Sequence, residues 1–222
     1  MHISQYLPIW DKLESPIQEK LSSSTRLLQY SAHTMIHDDH THCTGLLLVK
    51  SGQLRAFIYS DEGKEITLYR LFDYDLCFFS ASCIMNNVDF DISIEAEKDS
   101  EVYLIPTEVY RQCMESSAPL ANYTNEVMSM RFSDVMWLLN QVLYQKMDHR
   151  LSAFLLEESQ LENTKTLFLT HEDIAHHLGS AREVISRMLS YMQKEGLIQL
   201  SRNKITLLDE ERLKELAGTS LR

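Results

Sequence analysis

From Asp89 to Glu97 the side chains alternate. Asp89, Asp91, Ser93, Glu95 and Glu97 fall on one parity and Phe90, Ile92, Ile94 and Ala96 on the other. A period of two with one apolar parity predicts a strand buried on one face, its acidic parity solvated. Short β-rich runs extend from Thr25 to Pro106. In "GLLLVKSGQLRAFIYSDEGKEITLYRL" they are parted by Lys50-Ser51-Gly52 and by Asp61-Glu62-Gly63-Lys64. Short strands with turn residues at that spacing predict an all-β barrel or roll. Ahead of it, "ISQYLPIWDKLESPIQEKL" has helical spacing broken by two prolines, which predicts short helical pieces.

Beyond Pro119 the period becomes helical, with neither Pro nor Gly from Leu120 to Met147. One stripe runs Leu120, Tyr123, Val127, Met130, Asp134, Trp137, Gln141, Tyr144. A second runs Met128, Phe132, Val135, Leu139, Val142. Two stripes need two partners. The roll and the same helix of a second subunit would serve, the latter packed as a coiled coil. A helix buried within one chain would serve as well, and the spacing leaves both open.

A third pattern follows Met147: a helix "DHRLSAFLLEES", a polar loop "QLENTK", and then "TLFLTHEDIAHHLGSAREVISRMLSYMQKEGLIQLSRNKITLLD". Thr170 with Asp173 three residues on predicts a capping box and a short helix whose inner face is Ile174, Ala175 and Leu178. Gly179 supplies a left-handed turn. Ser180 with Glu183 predicts a second capping box, opening a helix that buries Val184, Ile185, Met188 and Leu189. Residues 197–208 predict strand, Ser201-Arg202-Asn203-Lys204 turn, strand. Together these are a winged helix-turn-helix.

In such a motif the first turns of the second helix enter the major groove. Arg182, Glu183, Ser186 and Arg187 lie there, away from the apolar face. Arginine donates two hydrogen bonds to guanine O6 and N7, and glutamate accepts from cytosine N4, so these four are the candidate base readers. Thr170, His171, Ser180, Arg202 and Lys204 are candidate contacts to the DNA backbone, which position without reading. His176 and His177 are expected on ordinary helix surface.

Charge sharpens this division. The net charge is −11, yet residues 149–222 carry 10 Lys and Arg against 11 Asp and Glu, leaving 11 against 21 before them. An acidic chain is a poor nonspecific ligand for nucleic acid, so the near-neutral final third must gather its cations on one face to bind DNA. No apolar run reaches the roughly 18 residues of a membrane span. "MHISQYLPIW" does not read as a secretory signal. Cys43, Cys77, Cys83 and Cys113 form no CxxC pair, so buried thiols in a cytoplasmic protein are expected rather than a disulfide framework.

The whole chain resembles the CRP/FNR family of bacterial transcription regulators, the relatives of the cyclic-AMP receptor protein. The element order matches, and the most specific stretch is "LTHEDIAHHLGSAREVISRML". Its Glu183, Ser186 and Arg187 match the Glu-x-x-Ser-Arg pattern of the FNR branch, while Arg182-Glu183 with Arg187 resembles the CRP branch. The resemblance implies an α+β chain. Residues 1–116 would be a double-stranded β-helix (β-roll) sensor, 117–147 a dimerisation helix, and 148–222 the winged helix-turn-helix. It also implies a homodimer on a two-fold symmetric double-stranded DNA site with a TGA-like core in each half. RNA polymerase is a further candidate partner, and a small effector of unknown identity would act through the roll.

The sensor departs from the cyclic-nucleotide binders of that family. Their Gly-Glu pair, which holds the ribose, aligns with Phe78-Phe79, and their Arg followed by Ser or Thr, which holds the cyclic phosphate, aligns with Phe90-Asp91. An aromatic and a carboxylate there remove an attraction and add a repulsion, so no response to cyclic AMP is expected. Residues 1–42 hold no Cys, so the N-terminal cysteine cluster of the iron–sulfur members is missing.

"HTMIHDDHTHC" gathers His33, His37, His40, His42 and Cys43 with Asp38 and Asp39, all suitable transition-metal ligands, although a polar turn between strands accounts for them too. Cys77 with Cys83 is the candidate redox pair. No metal ligand or cofactor is assigned. The competing class is a metal-dependent cupin-like β-roll enzyme with an accessory helical domain. His40-x-His42 fits it, but Leu46 and Leu47 stand where its Glu would be. No nucleophile–base constellation is present and no catalytic residue is named.

Overall fold

The structure, a computed structural model, describes residues 3–37, 45–78 and 92–221. It divides into two compact units, residues 1–58 with 68–135, and residues 59–67 with 136–222.

The first unit opens with 3-10 turns at Ile3–Gln5 and Trp10–Lys12 and helix α1 (Ser15–Ser24), the short pieces that the prolines predict. A proline sits within the first two positions of α1, where no intrahelical N–H is needed. Among the described residues the strands are β1 (Arg26–Tyr30), β2 (Thr34–His37), β3 (Leu46–Ser51), β4 (Leu54–Tyr59), β5 (Glu65–Leu71), β6 (Leu76–Cys77), β7 (Ser93–Ala96) and β8 (Ser100–Ile105). They form two four-stranded sheets, ordered β1-β8-β3-β6 and β2-β7-β4-β5. The run "LLLV" in β3 is apolar at every position because both faces are covered. Leu47 and Val49 join the cluster inside the roll with Leu54, Ile94 and Val102, while Leu46 and Leu48 join a second cluster with Leu7, Leu21 and Tyr110. Each such leucine contributes roughly 1.5–3 kcal/mol relative to exposure.

Strand β7 lies within the stretch predicted from the alternation; residues 89–91 are outside the described residues. Its polar parity is less solvated than the alternation predicts. Ser93 is buried, Glu95 pairs with Arg55 at 2.7 Å, and Glu97 pairs with Arg70 at 3.2 Å. Neighbouring strands supply the cations, which a single-strand pattern cannot reveal.

Helix α2 (Thr107–Ser116) leads into α3 (Ala118–Tyr144). The predicted helix to Met147 ends earlier. Lys146 is extended and α4 (Met147–Leu161) begins immediately, a break made without Gly or Pro. The inner stripe of α3 buries Leu120 and Val127, and Arg131 reaches Asp75 at 2.9 Å and Asp134 at 3.1 Å. Met130, expected on that stripe, is exposed. So are Phe132, Met136, Leu139 and Leu143, at steps of four, three and four.

In the second unit α4 is followed by β9 (Thr166–Leu167), α5 (His171–Leu178), α6 (Arg182–Lys194), β10 (Ile198–Ser201), β11 (Lys204–Leu207) and α7 (Glu210–Ala217). One apolar cluster joins Leu151 and Leu155 of α4 to Ile174 and Leu178 of α5, Ile185 and Leu189 of α6, and Leu213 of α7. The predicted hairpin forms with Ser201 opposite Lys204, and β9 adds a third strand.

Candidate nucleic-acid interface

Helix α5 begins as its sequence dictates. The Asp173 N–H donates to Thr170 Oγ1 at 3.1 Å and the Thr170 N–H donates to Asp173 Oδ2 at 2.8 Å, a closed capping box. The helix ends at Gly179, left-handed at φ 62° and ψ 42°, whose N–H donates to the Ala175 carbonyl. Arg150, buried in α4, donates through Nη2 to the Leu178 carbonyl at 2.6 Å, placing a cation on the negative end of α5. Sequence reasoning missed Arg150, because nothing in an isolated helix shows that an arginine points inward.

The predicted Ser180–Glu183 capping box does not form. Ala181 is the N-cap of α6 and makes no side-chain cap, while the Ser180 N–H donates to the Ala175 carbonyl. The turn therefore runs one residue longer than predicted. With Ile185, Leu189 and Met192 fully buried, α6 turns Glu183, Arg187, Ser190 and Lys194 outward at steps of four, three and four.

The four candidate base readers lie in the first two turns of α6. Arg182 is exposed, its Nε 3.8 Å from Glu172 Oε2. Glu183 is exposed, and Arg187, also exposed, donates through Nε to the Glu183 carbonyl at 3.3 Å. Ser186 is half-buried, its Oγ 2.8 Å from His171 Nδ1. Burial, and then the charge of Arg182, hold the His171 pKa below its ordinary value. Ser186 and Arg187 line a shallow groove of about 350 Å³ with Ser190, Tyr191 and Lys194. The last three were not singled out from sequence, although their spacing from Arg187 placed them on the same side.

Among the candidate backbone contacts, Thr170 is committed to its cap and Ser180 is half-buried in the turn. Arg202 stands exposed at the wing tip, with Lys204 half-buried beside it. The wing is tied to α6 where the Leu200 N–H donates to Gln193 Oε1 at 2.7 Å. His177 is not plain surface: its ring centroid lies 5.2 Å from that of Phe154. His176 lies 3.4 Å from Glu172.

On the roll, Phe78 is buried and packs edge-on against Tyr110 with ring centroids 5.6 Å apart. Phe79, Phe90 and Asp91 lie outside the described residues, as do Asp38, Asp39, His40, His42, Cys43 and Cys83. His33 is exposed with Nδ1 3.5 Å from Glu95, and His37 and Cys77 are buried. Among the described residues no three His, Cys, Asp or Glu side chains group to hold a metal ion, and no helix is long and apolar enough to cross a membrane.

Comparison with known proteins adds independent findings. The Crp-like helix-turn-helix domain matches residues 149–216, and the cyclic nucleotide-binding domain matches residues 27–117. The chain is 54% identical to a solved structure from Eubacterium rectale, assigned to the CRP/FNR family of transcriptional regulators. That match covers 96% of this chain and 99% of the other, with a TM-score of 0.93. It is 27% identical over 183 residues to the anaerobic regulatory protein of Pasteurella multocida, covering 79% of this chain and 66% of that one. It is also 27% identical over 181 residues to the transcriptional activator protein anr of Pseudomonas aeruginosa, covering 78% and 72%.

Proposed function

The chain belongs to the CRP/FNR family of transcription regulators, and from that premise we propose that it acts as a homodimer on a two-fold symmetric DNA site, reading each half with Arg182, Glu183, Ser186 and Arg187. That it is a DNA-binding regulator, and not an enzyme, follows from the family. The observation that carries the residue assignment is the outer side of α6. Opposite fully buried Ile185, Leu189 and Met192 it presents two exposed arginines and an exposed glutamate, the donors and acceptor that major-groove edges require. Arg202 and Lys204 of the wing serve the phosphates.

The effector acts through the roll and is not cyclic AMP. Support comes from Phe78, an aromatic side chain packed into the core where the cyclic-nucleotide binders have the first residue of their ribose-holding pair. Effector occupancy changes how the two copies of α3 pack, and so the spacing of the two reading helices.

The test is a fluorescence titration of the full chain with a selected duplex and with scrambled duplexes. Arg187→Ala is expected to lose about 1–3 kcal/mol per half-site on the selected duplex and little on scrambled ones. Arg202→Ala is expected to weaken both alike and to flatten the salt dependence. Cyclic AMP is expected to leave every curve in place. Equal losses on all duplexes for Arg187→Ala would remove it from the base readers.

A further inference from the structure

Ser186 differs from the other three candidate readers in that its hydroxyl is already engaged. Its Oγ lies 2.8 Å from His171 Nδ1, a bond between the first residue of α5 and the second turn of α6. A hydroxyl has one proton and two lone pairs, and an imidazole nitrogen can either accept or donate. The ring therefore decides which way the hydroxyl proton points. Neutral His171 with its proton on Nε2 accepts from Ser186, and the hydroxyl then offers only lone pairs to a ligand. Protonated His171 donates from Nδ1 to Oγ, and the hydroxyl proton is released outward.

We propose that His171 is a positioning residue that sets the hydrogen-bond polarity of Ser186, and through it the base that Ser186 accepts. This rests on the assignment of Ser186 as a base reader. With His171 neutral and its proton on Nε2, Ser186 is an acceptor and favours the exocyclic amino group of adenine or cytosine. With His171 protonated, Ser186 becomes a donor and favours thymine O4 or guanine O6 and N7. His171 is thus not merely a backbone contact, because its effect is specific to one base position.

The charges around the ring support a neutral resting state. Arg182 of α6 bears on it from across the turn, itself 3.8 Å from Glu172 of α5. On its own helix Asp173 is held in the Thr170 cap, and on α6 Arg187 is folded back onto the Glu183 carbonyl. Burial and Arg182 both push the ring towards its neutral form, so protonation waits for a pH below the ordinary histidine value of about 6.5.

The experiment is selection of binding duplexes from a random pool with the full-length protein, repeated between about pH 8 and about pH 5. Ser186→Ala first identifies the base position that depends on the hydroxyl. At that position the wild type is expected to prefer adenine or cytosine at the upper pH and to shift towards thymine or guanine by about fivefold to tenfold at the lower. His171→Asn, which keeps a polar partner near Oγ but does not titrate, is expected to hold one preference at every pH. His171→Ala is expected to relax that position alone, with its thermal melt measured alongside to confirm folding. A wild-type preference that ignores pH, a shift that persists in His171→Asn, or uniform weakening on all sequences in His171→Ala would each overturn the proposal. Failure to select any sequence would instead defeat the underlying assignment of base readers.

Discussion

Gly179 turns the chain from α5 into α6 at φ 62°, a conformation in which a Cβ is strained. Gly179→Ala is expected to cost about 1–2 kcal/mol, read as a lower denaturation midpoint with an unchanged slope. This glycine was legible in sequence, as was the Thr170–Asp173 cap, because each depends only on near neighbours. The Ser180–Glu183 cap was legible and incorrect: Ser180 is spent inside the turn, its N–H on the Ala175 carbonyl, and α6 starts after Ala181. Arg150, buried in α4, and the bond from His171 to Ser186 were not legible, since each joins residues that only the fold brings together.

Among the elements, α3 carries the clearest unpartnered surface. Phe132, Met136, Leu139 and Leu143 form an exposed seam with the four-three-four spacing of coiled-coil core positions. We propose a second copy of α3 as its occupant, since dimerisation is typical of the family. Leu139→Glu would set a carboxylate in that seam and is expected to convert a dimer to monomer in sedimentation at micromolar concentration, with the far-ultraviolet spectrum retained. A dimer that survives would move the interface elsewhere. Of the two stripes read from its periodicity, the second placed Phe132 and Leu139 on this seam but neither Met136 nor Leu143, and Met130 and Tyr144 of the first are exposed. The break before Met147 had no signal, because Gln145 and Lys146 are ordinary helix formers.

At the scale of the whole molecule, the division of labour is written in the charge. The roll and α3 hold most of the net negative charge, although some of their carboxylates are paired across strands, as Glu95 is with Arg55. The final third is near neutral overall but sorts its cations. Arg150 turns inward, whereas Arg182 and Arg187 stand exposed on α6 and Arg202 on the wing. The winged motif was legible because caps, turn, core spacing and hairpin point to one answer, while the sensor's ligand was not, since a roll fixes a site without fixing its chemistry.

We propose that two copies of this chain read one symmetric sequence through α6. The most direct test is selection of duplexes from a random pool by the full-length wild type, with the mass of the resulting complex measured in the same sample. The expected result is an inverted repeat whose half-sites are centred about 10–11 base pairs apart, bound by two chains, and lost in Arg187→Ala. A single unrepeated site bound by one chain, or no enriched sequence, would contradict it.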